Sequence, residues 1–474
     1  MRKTKPAIAL LLLTTVTLSL TSFQQPHLPA QGLLFPYKAA GLSQKEAAAH
    51  LISRFSFGAR AGEIEHIAAT GIEKWFQDQL EGKIDETIIN QKLVTYGSLT
   101  MSNAQIVQTY PRSAQVLAEV VKNGAIERDA VNKEDKAAYR KLLNQYMAQQ
   151  GLRPQSDLLR DLVAQKILRA AYAQNQLHEV LTDFWFNHFN VAASKGGIQQ
   201  FITSYERDVI RPNVAGRFET LLLATAKSPA MLIYLDNNKS SAVREMGSVP
   251  QRRDFTNRMG MQKVKADTQG VRAIPQPVRK PQPRGLNENY AREIMELHTL
   301  GVEGGYTQAD VTAAARVLTG WSLNPSIEYK VAVNNNFNKK RLESRGLIYD
   351  DNFLFLPQRH DQQEKKLLGL TFPAGGGYEE GLQLLHLLAT HASTANFICK
   401  KIAIRFVSDT PPPALVARMA AVFLKTEGNL AAVLQTMVQS PEFWQKTALR
   451  QKTKSPFELA ISTIRSTSAE VIAP

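Results

Sequence analysis

Two segments of this chain concentrate side chains that can move protons. The first, from Leu286 to Leu300, reads LNENYAREIMELHTL and holds Asn287, Asn289, Arg292, Glu293, Glu296 and His298. The second, from Gln176 to Val191, reads QLHEVLTDFWFNHFNV and holds Glu179, Asp183, Asn187 and His188. Carboxylates can act as general acid or base, and histidine titrates near neutrality. A third, shorter element places Arg359, His360 and Asp361 side by side, where a carboxylate can orient an imidazole.

Helical spacing decides how these groups are presented. At 100° per residue, Glu179, Asp183, Asn187 and Asn190 form one stripe, and Phe184, Trp185, Phe186 and Phe189 fill most of the rest. A helix so aromatic is expected to be buried, and its polar stripe then needs partners or a wet cavity. The alternative is a stripe facing solvent. On the other segment Glu288, Asn289, Arg292, Glu293 and Glu296 make one arc, with Arg292 four residues from both Glu288 and Glu296, the spacing of ordinary surface ion pairs. His188 and His298 both fall on apolar sides, where a histidine is either a hydrogen-bonded core residue or one member of a site. The sequence predicts that the two helices pack together, with Asp183 or Asn187 in reach of Arg292, Glu293 or Glu296. Asp361 is either part of a proton-transfer loop or the cap of a following helix.

The elements that must position these groups are nearly all helical. Ser43 with Glu46 and Thr307 with Asp310 have capping-box spacing, and Ser228-Pro229 and Ser440-Pro441 place a cap before a first-turn proline. Helical periods run through 62–81, 104–122, 132–149, 156–175, 198–210, 214–226, 378–390, 392–407, 413–425 and 429–439. Strand or loop character is confined to 346–357, the stretch from Tyr329 to Val333 and the turn at Gly375 to Gly377. The fold class is therefore mainly α, a multi-helix globular array with few short strands and no fixed-period repeat.

Composition bounds the rest. Arg2, Lys3 and Lys5 precede an uncharged run of about 14 residues, Ala7 to Leu20, the length of a signal-peptide core and short for a bilayer span. Residues 1–22 read as a signal peptide or an uncleaved N-terminal anchor, which implies a periplasmic or extracellular protein. The single cysteine, Cys399, lies far from a lipoprotein site and rules out an internal disulfide. Of the net charge of +15, a large share sits in 237–285, where eleven Lys and Arg face three acidic residues among Pro275, Pro277, Pro281 and Pro283. That segment reads as a basic, Pro-rich insertion, either a solvated loop or an arm for an anionic surface or polysaccharide. No nucleic-acid-binding motif is present, and nucleic acid is not an expected partner.

Taken in order, LISRFSFG at 51–58, FWFNHFNV at 184–191, NENYAREIMELHTLGV at 287–302, GYTQADVTAAARVLTGW at 305–321, the RHD and KKLLG of 359–369, and KKIAIRFVSDTPPP through SPEFW at 400–444 resemble the bacterial family catalogued as domain of unknown function 1800. The resemblance spans nearly everything from Ala39 onward, so that 39–474 is expected to form one helical domain. It implies an exported, mostly helical protein with a sulfatase-like functional partner, and it carries the motif positions without roles. Similar proteins have a shorter connection before the NEN motif and tend to continue with further helices after KSPFELAISTIRST.

No nucleophile elbow, zincin motif, phosphate-binding loop, dinucleotide fingerprint or cysteine metal spacing occurs, nor the two Glu-x-x-His motifs that a di-iron bundle needs. Three classes remain: a carboxylate and histidine hydrolase or lyase acting on an envelope glycan or ester, a non-catalytic envelope binding or assembly protein, and a metalloenzyme using His188, His298, His360 and Asp183. No cofactor is named by the sequence. If the protein is an enzyme, Glu293 or Glu296 with His298 or His360 is expected to supply the acid–base pair.

Overall fold

The capping boxes start their helices as the spacing requires. In the computed structural model, which describes residues 32–124, 136–242, 285–330, 344, 346–350 and 352–472, Ser43 Oγ accepts from Glu46 N at 3.3 Å. Glu46 Oε2 returns the bond to Ser43 N at 2.8 Å, and Thr307 and Asp310 repeat the exchange at 3.2 and 2.8 Å. Each pair satisfies amides that a helix start leaves bare. Twenty α-helices follow among the described residues, with only two small sheets.

Several expected helices are divided. The 62–81 period is two helices, Glu63–Thr70 and Ile72–Glu81, separated at Gly71, whose φ of +107° a side chain would resist. The 104–122 period breaks into Asn103–Thr109 and Ser113–Lys122 at Tyr110-Pro111, where proline has no amide to give. In 198–210, the helix Gln199–Ser204 widens into a π-helical turn, Tyr205–Ile210. In 287–300, Glu288–Met295 widens into a second one, Glu296–Leu300. That turn stops at Gly301, where an added Cβ would lie 2.9 Å from the Phe397 ring.

Strands appear in two places read as helix or left unassigned. Strand β1, Trp321–Leu323, lies beyond the helix Gln308–Val317 rather than continuing it. It pairs antiparallel with β3, Phe353–Phe355, in the register Trp321 to Phe355, and β2, Ile348–Tyr349, pairs on the other side of β3. Strands β4, Lys365–Leu367, and β5, Leu370–Phe372, form a hairpin. Its two turn residues, Leu368 and Gly369, have φ of 48° and 77°, the signs a tight I′ turn needs. Asp361 therefore precedes a hairpin and caps no helix.

Aromatic residues join the helices. Phe55 stacks on Phe406 and Phe443 at 5.0 and 5.7 Å between ring centroids, and Trp185 stacks on Phe189 at 6.1 Å. The helix Ala392–Phe406 packs on Pro413–Lys425, which packs on Leu430–Val438. No helix among the described residues is long and apolar enough to cross a membrane.

The stretch expected to be an N-terminal signal or anchor, 1–22, lies outside the described residues, as does 243–284 of the basic segment. The first residues of that segment, 237–242, are tied to the fold. Asn237 is fully buried and donates Nδ2 to Leu318 O at 3.1 Å, and Ala242 N donates to Arg359 O at 2.8 Å. Ser241 N donates to Gly285 O at 3.3 Å, so the two ends of the segment are joined at a neck.

Candidate functional site

Glu179 and Asp183 lie four residues apart on the helix Gln176–His188 and face the helix Ser156–Tyr172, which supplies Lys166 and Arg169. The wider π turn Tyr205–Ile210 brings Glu206 in from the third side, with Arg211 at its end. Arg211 grips Glu179 with two parallel bonds, Nη1 to Oε1 at 2.9 Å and Nη2 to Oε2 at 2.6 Å, and reaches Glu206 Oε1 at 3.3 Å. Lys166 Nζ sits 2.9 Å from Glu206 Oε2 and 4.0 Å from Asp183 Oδ1, and Gln165 Nε2 donates to Glu206 Oε1 at 2.9 Å.

The three carboxyl groups are electrostatically unlike. Burial alone would raise Glu206, but Lys166 and Arg211 more than offset it and hold it down to about 2. Glu179 is likewise kept ionised against its burial by Arg211. Asp183 is raised, because burial outweighs Lys166 and Arg405. Its side chain is 38% exposed against 0% for Glu206, so it alone of the pair touching Lys166 opens outward. A cavity of about 20 Å³ lies among these groups, enough to admit one water. Phe57 and Phe457, edge to face at 5.6 Å, line it.

The two helices singled out by the sequence meet, but through their histidines. His188 Nε2 donates to His298 O at 3.1 Å, and the two rings are 6.2 Å apart. Burial and then the nearby Lys401 push His188 well below its ordinary range and His298 down to about 3. Lys401 is itself lowered by burial, and its ammonium lies 5.2 Å from the centre of the Phe397 ring. His298, fully enclosed and neutral, is poorly suited to the acid–base role expected of it.

Arg292 and Glu296 face the helix Gln308–Val317 and the loop before it. Arg292 donates to Gln308 Oε1 at 2.5 Å, Gln308 Nε2 to Glu288 at 2.9 Å, and the Tyr306 hydroxyl to Glu296 Oε2. Burial and then Glu296 push Tyr306 up to about 12, and burial and then Glu296 raise Glu293. The expected contact with Asp183 or Asn187 is not made: Asp183 pairs with Lys166, and Asn187, exposed, turns back to Asp183 O at 3.0 Å. Asn289 is also exposed.

His360 and Asp361 occupy a separate, closed network. His360 Nδ1 lies 3.0 Å from Thr319 O, and Nε2 lies 3.4 Å from Glu380 Oε2. Lys365, 1% exposed, reaches the same Glu380 oxygen at 2.6 Å, and Arg316 holds Asp361 at 2.8 and 3.0 Å. His360 is thus core structure, well separated in its contacts from His298. His188, His298, His360 and Asp183 do not converge, and the described residues contain no group of three or more His, Cys, Asp or Glu placed to hold a metal ion.

Sequence reasoning missed Lys166, Glu206, Arg211, Lys365 and Glu380. For Glu206 a signal existed: it lies beside Tyr205 within the apolar period of Phe201, Ile202 and Ile210, where a carboxylate demands a partner.

The family described as protein of unknown function (DUF1800) matches residues 50–473. The chain belongs to that family. In this DUF1800 member the match takes in all ten of the sequence-predicted site residues as well as Lys166, Glu206 and Arg211. Neither the curated proteins nor the solved structures compared with it give a match.

Proposed function

We propose that this DUF1800 member is an exported hydrolase or lyase of the carboxylate type, acting on a glycan or ester of the cell envelope, with Asp183 as its proton-transferring group. The observation that carries this reading is the raised, outward-opening Asp183 beside a water-sized cavity whose other walls include Lys166 and Glu206, which is ionised at neutral pH. A carboxyl group held above its ordinary value can hand a proton to a leaving oxygen. Once ionised, it gains from the Lys166 ammonium at 4.0 Å and can draw a proton from water or from carbon. Glu206 and Arg211 fix Lys166 and Glu179 so that this charge change needs little rearrangement. Export rests on the charge and apolar run of residues 1–22.

The test is Asp183→Asn, which keeps the shape and removes the titrating proton, assayed with a panel of envelope glycans and esters. Turnover is expected to fall by about 10²-fold or more, with melting unchanged or slightly raised. A folded Asp183→Asn protein with full turnover overturns the assignment. Glu293→Gln and Glu296→Gln in parallel show whether the surface glutamates carry the chemistry instead.

A further inference from the structure

We propose that the Asp183 site acts on a carboxylic ester rather than a glycoside, and that Arg405 holds the oxyanion formed on the ester carbonyl. The inference rests on the reading of Asp183 as the proton-transferring group and names the substrate class that its surroundings select.

Three segments converge around Asp183. Phe184, next to Asp183, lies 6.4 Å from Phe406, next to Arg405 on the helix Ala392–Phe406. Phe457, next to Glu458 at the start of the helix Pro456–Thr467, meets Phe57 on the cavity wall. Once burial has raised Asp183, the charges that act on it most are Lys166 and then Arg405. Arg405 Nη2 donates to Glu458 Oε1 at 2.6 Å, its only side-chain hydrogen bond among the described residues. The centre of its guanidinium lies 5.6 Å from the middle of the Phe406 ring, a contact that takes up no N–H. A guanidinium carries five N–H donors, and the Arg405 side chain, 25% exposed, has others to offer a ligand. Arg211 has no such freedom, because it grips Glu179 with two bonds and Glu206 with a third.

The carboxylates around Asp183 argue against a glycoside. Glycoside hydrolysis uses two carboxyl groups flanking the scissile bond and builds positive charge on the sugar. Asp183 has no accessible second: Glu206 is fully enclosed, and Glu179 is buried in its pair with Arg211. Lys166 and Arg405 would also repel a cationic transition state. Ester hydrolysis needs one carboxylate to move a proton, one water and a donor for an oxyanion. Asp183, the one-water cavity and Arg405 match that set. Ionised Asp183 takes a proton from the water while the water oxygen bonds to the carbonyl carbon, and the C=O π pair moves onto the oxygen at Arg405. When that pair re-forms the carbonyl, the bond to the alcohol oxygen breaks and the proton on Asp183 passes to it. Ester and water give acid and alcohol, and nothing else is consumed.

The test combines binding with turnover on the full chain. Ethyl methylphosphonate, a tetrahedral anion resembling the adduct, is expected to bind in calorimetric titration, and Arg405→Gln to weaken it by about tenfold or more. Turnover of p-nitrophenyl acetate should exceed that of p-nitrophenyl glycosides, and Arg405→Gln should lower its kcat about 10²-fold with KM little changed. Glu458→Gln breaks the same bridge but leaves the guanidinium in place, and it should retain most of the turnover. If Arg405→Gln melts early, Arg405→Lys takes its place. No phosphonate binding, phosphonate affinity indifferent to Arg405, or equal loss of turnover in the Arg405 and Glu458 variants overturns the proposal. Glycoside turnover abolished by Asp183→Asn, with no ester turnover, overturns it while leaving the role of Asp183 intact. Ester turnover that needs Arg405 but survives Asp183→Asn supports the ester assignment and removes Asp183 instead.

Discussion

Replacing Glu206 by Gln removes one fully buried charge from the Lys166–Glu206–Arg211 cluster, and its effect can be sized from the geometry. The carboxyl goes from an ordinary value of 4.5 to about 2 in the fold, held by Lys166 at 2.9 Å and Arg211 at 3.3 Å. A shift of that size corresponds to about 3 kcal/mol of stability at neutral pH. Breaking a buried pair from one side costs about 3–5 kcal/mol, and the lower end applies here because Arg211 keeps Glu179 and Lys166 keeps Asp183 at 4.0 Å. With unfolding entropy scaling with chain length, the 440 residues of Phe35–Pro474 convert this to a fall in melting temperature of about 3 °C. The pH dependence identifies the cause. Because the folded value is depressed, the stabilisation is fully present above pH 4.5 and is lost as pH falls through about 2. The gap between wild type and Glu206→Gln should therefore hold steady from pH 7 to about 5 and close below it, as protonated Glu206 comes to resemble Gln. Scanning calorimetry across that range measures it. A gap that persists unchanged towards pH 2, or a Gln variant more stable than wild type at pH 7, refutes the ion-pair account.

Two further outcomes follow from packing. His298, held down to about 3 by burial and Lys401, should show no imidazole titration above pH 5 by NMR, so its protonation on unfolding draws stability away as pH drops below 6.5; a folded-state transition near 6.5 would contradict its burial. Gly381→Ala should lower stability by about 1–3 kcal/mol in chemical denaturation, since its Cβ would fall 2.3 Å from Trp321 Cζ2, and an unchanged midpoint would mean that Trp321 moves freely.

Helix class and helix starts were legible because they depend on neighbours in sequence. Ser43 with Glu46, Thr307 with Asp310 and Ser228 before Pro229 all cap as spacing predicts. Strands β1, β4 and β5 were not, because each is three residues long and is stabilised by its partner strand, which local periodicity cannot see. The same limit applies to the site. Asp183 was visible as a polar position on an aromatic helix, yet its partners Lys166 and Glu206 arrive from helices distant in sequence. The π turns at Tyr205–Ile210 and Glu296–Leu300 rotate their side chains off the regular 100° wheel. The polar face of the regular helix Glu288–Met295 meets the Gln308–Val317 helix instead of Asp183, a neighbour that spacing within the segment cannot name.

The hydrogen bond from Ser241 to Gly285, with Ala242 tied to Arg359, has a meaning for how this chain can vary. The chain entering and the chain leaving the neck are already side by side, so these bonds hold the two ends together. Loop closure costs grow with the logarithm of length, about 0.6 kcal/mol per doubling. A segment of different length inserted at this neck is expected to leave the flanking helices in place, because Asn237 and Asn287 on either side are tied to Leu318 O and Leu235 O.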